Sequence, residues 1–227
     1  MTRALVAGLV AASSFAAGST AVPGAGSGRP TPVVWHLDSL TRVGGHPVET
    51  IGAPRVVRTP GGPVVAFDGA HDGLFIDANP LEGLVRFTVE VIFQPAPDGP
   101  EEQRFLHFEE AGTGNRALIE LRMTTSAGWS LDTYLHHGRV GLTLLDRARA
   151  HPAGRWHVAA LTFDGRTMSH FVNRRLEGQG DLEFKPLAAG RTSIGVRQNR
   201  VSHFKGCIRL IRITPDVLAP ASMLEPR

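Results

Sequence analysis

In three separate stretches of this chain, apolar residues recur at every second position, and that period constrains the fold more than any other feature. Val85, Phe87, Val89, Val91 and Phe93 alternate with Arg86, Thr88, Glu90, Ile92 and Gln94. Ala117, Ile119, Leu121 and Met123 alternate with Leu118, Glu120 and Arg122; Trp129, Leu131, Thr133 and Leu135 alternate with Ser130, Asp132 and Tyr134. Successive side chains of a strand point to opposite faces, so each run predicts a strand with one face buried, and the first a strand whose other face is partly buried as well. Turn signals stand between the runs: Pro60-Gly61-Gly62, Asp68-Gly69, Asp72-Gly73, Pro97-Asp98-Gly99-Pro100, His137-Gly138 and Asp164-Gly165. No stretch keeps apolar residues at helical spacing over three turns. The 26 Gly and 16 Pro among 227 residues punctuate short runs and form no repeat. The expectation is one all-β domain, a two-sheet antiparallel sandwich or barrel starting at Val33.

Ahead of that domain, residues 1–21 have the three parts of an export signal. Arg3 supplies the charge, Ala4 to Ala12 a short apolar core, and Ser19-Thr20-Ala21 the small residues that a signal peptidase reads. Residues 22–32, rich in Gly, Ser and Pro, are expected to be a flexible linker. The chain is therefore expected to be secreted or periplasmic, with no transmembrane segment once the signal is removed. Cys207 lies far from the cleavage point, which excludes a lipoprotein anchor.

Charge and cysteine content exclude several functions. Lys and Arg total 24 against 21 Asp and Glu, a net charge of only +3 with no basic block, so nucleic acid is not an expected partner. One cysteine excludes an internal disulfide framework and any four-cysteine zinc site. There is no His-Glu-x-x-His helix, Gly-x-Ser-x-Gly elbow or phosphate-cradling loop. His136 and His137 are adjacent on a strand, so they face opposite ways and make no metal pair. Cys207, in an apolar strand, is expected to be a buried small hydrophobe.

The segment Gly154-Arg155-Trp156-His157-Val158-Ala159-Ala160-Leu161-Thr162-Phe163-Asp164-Gly165, followed by Met168-Ser169-His170-Phe171-Val172-Asn173, resembles a hallmark of laminin G-like domains of the concanavalin A-like lectin/glucanase superfamily. Val65-Ala66-Phe67-Asp68-Gly69 with Asp72-Gly73-Leu74-Phe75-Ile76 is similar to that family's early hairpin. Thr192 to Val196 and Phe204 to Ile208 are similar to its closing strands. The resemblance covers about Val33 to Met223 and implies a jelly-roll β-sandwich, a domain over 33–223, whose concave sheet often meets carbohydrate. Two positions depart from the pattern: Asn173-Arg174 replaces an Asp-Gly turn, and Arg209 stands where an Asp is usual. Some relatives hold a structural calcium, for which Asp68, Asp72 and Asp77 are the candidate ligands. Turn-forming Asp residues capping their own backbone are the alternative.

Candidate binding residues come from the polar faces of the strands. Phe105, His107 and Glu109 share one face, Glu120 and Arg122 another, and Asp132 and Tyr134 a third. If these strands are neighbours, His107, Glu109, Glu120, Arg122, Asp132 and Tyr134 line one groove. Carboxylates and guanidiniums bind hydroxyls in pairs and an aromatic ring meets the apolar face of a pyranose. The loop from Arg197 to Lys205 adds Arg197, Asn199 and His203, donors suited to anionic sugars. An ordinary solvated sheet face would carry the same alternation.

The expected function is noncatalytic binding of a polysaccharide or other glycan, by a monomer. A polysaccharide lyase is the enzymatic alternative, with His107 or His170 as base, Arg122 neutralising a uronate and Tyr134 as acid. A glycosidase fits less well, because Glu109 and Glu110 are adjacent and face opposite sheets. A purely adhesive or structural module is the third reading.

Overall fold

The computed structural model describes Met1 and residues 31–124 and 128–226. The expected signal segment and most of the expected linker lie outside the described residues. In chain order the strands are β1 (Val33–His36), β2 (Arg42–Val43), β3 (His46–Pro47), β4 (Glu49–Ile51), β5 (Arg55–Thr59), β6 (Gly62–Asp68), β7 (Gly73–Ile76), β8 (Phe87–Pro95) and β9 (Glu102–Glu110). They continue as β10 (Arg116–Met123), β11 (Gly128–His137), β12 (Val140–Leu145), β13 (His151–Pro152), β14 (His157–Phe163), β15 (Thr167–Val172), β16 (Arg175–Asp181), β17 (Gly190–Ile194) and β18 (Lys205–Thr214). The one helical turn among the described residues is a 3-10 segment at Pro220–Ser222.

Two antiparallel sheets carry the fold. The first runs β16-β15-β14-β8-β18-β6-β5, with β1 also on β18; the second runs β12-β11-β10-β9-β17-β7-β4, with β13 on β11. Their inner faces share one core, in which Val89, Val91, Phe93, Leu161 and Ile211 of the first sheet meet Leu106, Phe108, Ile119, Leu121 and Leu131 of the second. This is a two-sheet sandwich, one of the two forms expected from the period-two runs, and it agrees with the jelly roll that the resemblance implies.

Three local features differ from the sequence reading. β8 was expected to bury one face strongly and the other partly, but Thr88 and Glu90 on its outer face are as buried as Val89 and Val91. The C-terminal segment crosses that face: Leu218 N donates to Thr88 Oγ1 at 2.9 Å, and Leu224 N and Arg212 Nε donate to the two oxygens of Glu90. Secondly, β6 and β7 are no hairpin, since β6 pairs with β18 and β5 in the first sheet and β7 with β17 and β4 in the second. The Asp68 turn therefore carries the chain from one sheet to the other. Thirdly, Asn173 and Arg174 make the β15–β16 turn with φ of 49° and 70°, so a non-glycine pair adopts the left-handed region that an Asp-Gly turn would favour. Arg174 is held there by donating from Nε to Met223 O at 2.8 Å.

A bulge in β9 shapes the candidate site. Ile119 lies opposite Leu106, but the next residue, Glu120, lies opposite Arg104, so Phe105 is an extra residue in its strand. The bulge turns Phe105 inward, stacked on Phe93 at 4.4 Å. Burying a Phe ring contributes about 2–3 kcal/mol, against about 1 kcal/mol for a ladder hydrogen bond, so the interrupted pairing is outweighed. It also changes the facing of β9: Phe105 does not share a face with His107, and Arg104 comes to the outside beside Glu120.

Candidate functional site

Because the core-facing residues of β10 and β11 are Ile119, Leu121, Leu131 and Leu135, the residues between them line the outer face of the second sheet. Register places Glu120 opposite Asp132, and Leu118 between His107 and Tyr134. An open pocket of about 310 Å³ lies there, lined by Arg104, Arg116, Leu118, Glu120, Arg122, Asp132, Tyr134, Thr143 and Arg197. Four of the six groove residues expected from sequence, Glu120, Arg122, Asp132 and Tyr134, meet in it. So does Arg197 from the loop after β17.

One end of the pocket is a closed ionic network. Arg122 Nε donates to Asp132 Oδ2 at 2.6 Å, and its Nη2 lies 3.5 Å from Glu120 Oε2. Arg104 Nε donates to Glu120 Oε1 at 3.0 Å, and its Nη1 to Glu102 Oε2 at 2.9 Å; Arg122 Nη1 pairs with the other Glu102 oxygen. Burial pushes the Glu120 carboxyl above the ordinary range; the neighbouring charge of Asp132 adds to the rise, while Arg104 and Arg122 only partly oppose it. Burial works against the charge of Arg122, but Asp132, Glu102 and Glu120 outweigh it and hold that guanidinium above its usual value.

The other end carries Arg116, Tyr134 and Arg197. Tyr134 lies beside Gly141 of β12, where a Cβ would come within 2.4 Å of its hydroxyl oxygen. The Arg116 guanidinium sits over the Tyr134 ring at 5.1 Å and donates to Gly114 O, which fixes its plane. His136 stacks on the same ring at 5.8 Å.

His107 and Glu109 flank this end without opening into it equally. His107 is fully buried; its Nδ1 accepts from the Gln198 backbone N–H at 3.1 Å, and its Nε2 lies 3.1 Å from Glu109 Oε2. Glu109 is half-buried, and its carboxyl is held below the ordinary value chiefly by the nearby His107 ring.

Other expected residues lie elsewhere. His170 is on β15 of the first sheet, facing inward, where its Nδ1 meets Thr133 Oγ1 of the second sheet at 3.0 Å; it belongs to the core and not to the groove. Alternation along one strand defines its two faces but not the sheet it joins, which is why His170 was placed wrongly. In the loop, His203 holds backbone, with Nδ1 2.9 Å from Asp72 O and Nε2 3.2 Å from Arg200 O; Asn199 is exposed at the tip. Glu110 accepts from Ala188 N and Asn115 Nδ2 on the opposite face from Glu109, and Glu109 lies opposite Arg116, four pairs along the ladder from Glu120.

The three candidate calcium ligands are engaged otherwise. Asp68 Oδ1 accepts from the backbone of Ala70, His71 and Asp72, and Asp72 accepts from Ala53 N and Asp68 N. Burial would raise the Asp68 carboxyl, but those N–H groups together hold it well below the ordinary range. Asp77 is exposed and pairs with Arg191 at 2.7 Å. These are turn and ion-pair roles, and among the described residues no three His, Cys, Asp or Glu gather around one point. The donor set does not fit a calcium ion. Cys207 is half-buried on β18, and burial pushes its thiol up.

Two charged residues of the site, Arg116 and Arg104, are not among the candidates from the sequence. Arg116 has the same parity as Leu118, Glu120 and Arg122, so the signal was present in the strand. Arg104 was hidden by the bulge; the consecutive apolar pair Phe105-Leu106 is the visible trace of that break in phase.

A sandwich of these two sheets, with a polar pocket on one outer face, is a lectin-like architecture. The profile of the concanavalin A-like lectin/glucanases superfamily matches residues 68–222, and the chain belongs to that superfamily. No curated protein matches the sequence. Among solved structures, domain 4 of a GH43 extracellular arabinanase from Geobacillus stearothermophilus, in complex with arabinotriose, is similar with a TM-score of 0.63 at 16% identity, covering 86% of this chain and 97% of that one. The binding domain of botulinum neurotoxin DC in complex with SialylT is similar with a TM-score of 0.61 at 10% identity over 84% of this chain; this chain spans 49% of its length. A heptameric SAP-like pentraxin from Limulus polyphemus is similar with a TM-score of 0.56 at 13% identity, covering 68% of this chain and 76% of that one. At these identities the likeness shows the fold.

Proposed function

We propose that this domain binds glycan noncatalytically on the outer face of its second sheet. The carrying observation is the pocket itself: a rigid Arg104–Glu120–Arg122–Asp132 network at one end, and Arg116, Tyr134 and Arg197 at the other. Such a surface offers fixed acceptors and donors to sugar hydroxyls without having to order them first. A similar fold solved with arabinotriose supports the ligand class. The lyase alternative needs a base that reaches substrate, and both His107 and His170 are fully buried. The reading also takes the domain to be exported, through the signal segment ahead of it; a mature N-terminus at Val22 in protein recovered from outside the cell would agree with that.

The test is a panel of neutral and uronate polysaccharides, with and without calcium. Retardation in affinity gels, with no rise in unsaturated-uronate absorbance and no new reducing ends, is the expected result. Absorbance on a uronate polymer would replace binding with lyase chemistry, and new reducing ends alone would indicate hydrolysis.

A further inference from the structure

We propose that His107 is a positioning residue for this pocket: its unprotonated Nδ1 holds the loop that carries Arg197, and acid releases that loop. The consequence for sugar rests on the glycan reading above, but the geometry does not.

The loop between β17 and β18 is tied at its two ends. Gly195 N donates to Phe105 O at 3.1 Å, and Ser202 O accepts from Arg104 N at 2.9 Å. Its middle, next to Arg197, is tied down by Gln198. The Gln198 side chain donates to Arg191 O at 3.1 Å, and its backbone N–H donates to His107 Nδ1 at the same distance. A nitrogen that accepts a hydrogen bond carries no proton, so the His107 proton resides on Nε2, which lies 3.1 Å from Glu109 Oε2 but makes no hydrogen bond. Nδ1 is thereby committed as an acceptor. Adding a second proton places N–H against N–H at Gln198 and breaks the tie beside Arg197.

The surroundings set the direction of the switch. Burial is the largest influence and disfavours the charged ring; Glu109, on the same strand, favours it; Arg197 from the loop and Arg116 from β10 oppose it. From β17, Ser193 stands opposite His107, while Arg191 is paired with Glu49 and Asp77. The balance holds His107 below the ordinary imidazole value. The neutral, loop-holding form therefore persists at neutral pH and is lost only as pH falls through that lowered value.

Amide hydrogen exchange at Gln198 tests this on the free protein. His107→Asn carries an amide oxygen close to the place of Nδ1 and cannot titrate; His107→Phe keeps a ring but no acceptor. After correction for intrinsic exchange, wild type should protect Gln198 at pH 7 and lose at least tenfold of that protection in acid. His107→Asn should keep protection with a flat pH profile, and His107→Phe should lose it at both. If His107→Phe does not fold, the wild-type and His107→Asn profiles decide alone. Nitrogen NMR showing the neutral proton on Nδ1, or acid loss persisting in His107→Asn, would overturn the proposal. In gels containing polygalacturonate or arabinan, retardation of wild type should weaken in acid and that of His107→Asn should not. If neither polymer retards wild type while the Gln198 results hold, the glycan reading fails for these sugars and the loop tie stands.

Discussion

Arg122 and Asp132 meet diagonally across the β10–β11 pair, Nε to Oδ2 at 2.6 Å, with their side chains 13% and 2% exposed. Such a pair adds little over an apolar replacement of both partners, but loss of one partner strands the other charge. Asp132 and Glu120 both depend on Arg122, so Arg122→Leu should lower stability by about 3 kcal/mol. Urea denaturation checks this as a lower midpoint at unchanged slope. An unchanged midpoint would mean that the network is solvated and not a fixed floor.

Tyr134 owes its position to a missing side chain. A Cβ on Gly141 would fall 2.4 Å from the Tyr134 hydroxyl oxygen and 2.9 Å from ring carbons. Gly141→Ala should therefore lift the ring and displace Arg116 above it, weakening sugar retention several-fold. Because Gly141 is exposed on β12, the thermal midpoint should move little. Equal retention with an unaltered Tyr134 ring signal would show that the ring takes no part.

His170 makes acid stability a direct readout of the core. Burial pushes it down to about 4, opposed weakly by Glu177 and Asp146, whereas an unfolded imidazole titrates near 6.5. The unfolded chain thus takes up a proton first. The stability owed to the neutral ring is complete above pH 6.5 and is lost as pH falls towards 4, about 3 kcal/mol in all. His107 and His157 are shifted in the same direction by burial. Unfolding midpoints measured between pH 7 and pH 4 should fall, and His170→Asn should flatten the slope. A flat wild-type profile would place His170 in contact with water.

How much of this was legible in the sequence depends on what alternation can report. The runs around Ile119 and Leu131 define two strands and their polar faces, and the register that sets Glu120 opposite Asp132 is added by the structure. Alternation assumes an unbroken phase, so the bulge at Phe105 concealed Arg104. It also describes one strand at a time, so it could not show that β15 belongs to the other sheet and takes His170 into the core. The sequence implies only partial burial for Glu90 because the segment that covers it, residues 216–224, lies far along the chain. The Asp68 turn was legible as a turn but not as a crossing between sheets, because local turn chemistry is the same in both.

The most direct test of the account is affinity-gel retardation of the wild-type domain beside an Arg197→Ala, Tyr134→Ala double variant, over the neutral and uronate panel. Both side chains are partly exposed at the pocket and outside the core, so the variant should unfold within a few degrees of wild type. The account predicts that at least one polysaccharide retards wild type, and that the variant loses at least tenfold in affinity for it. Equal retardation of both proteins would contradict the assignment of glycan binding to this face.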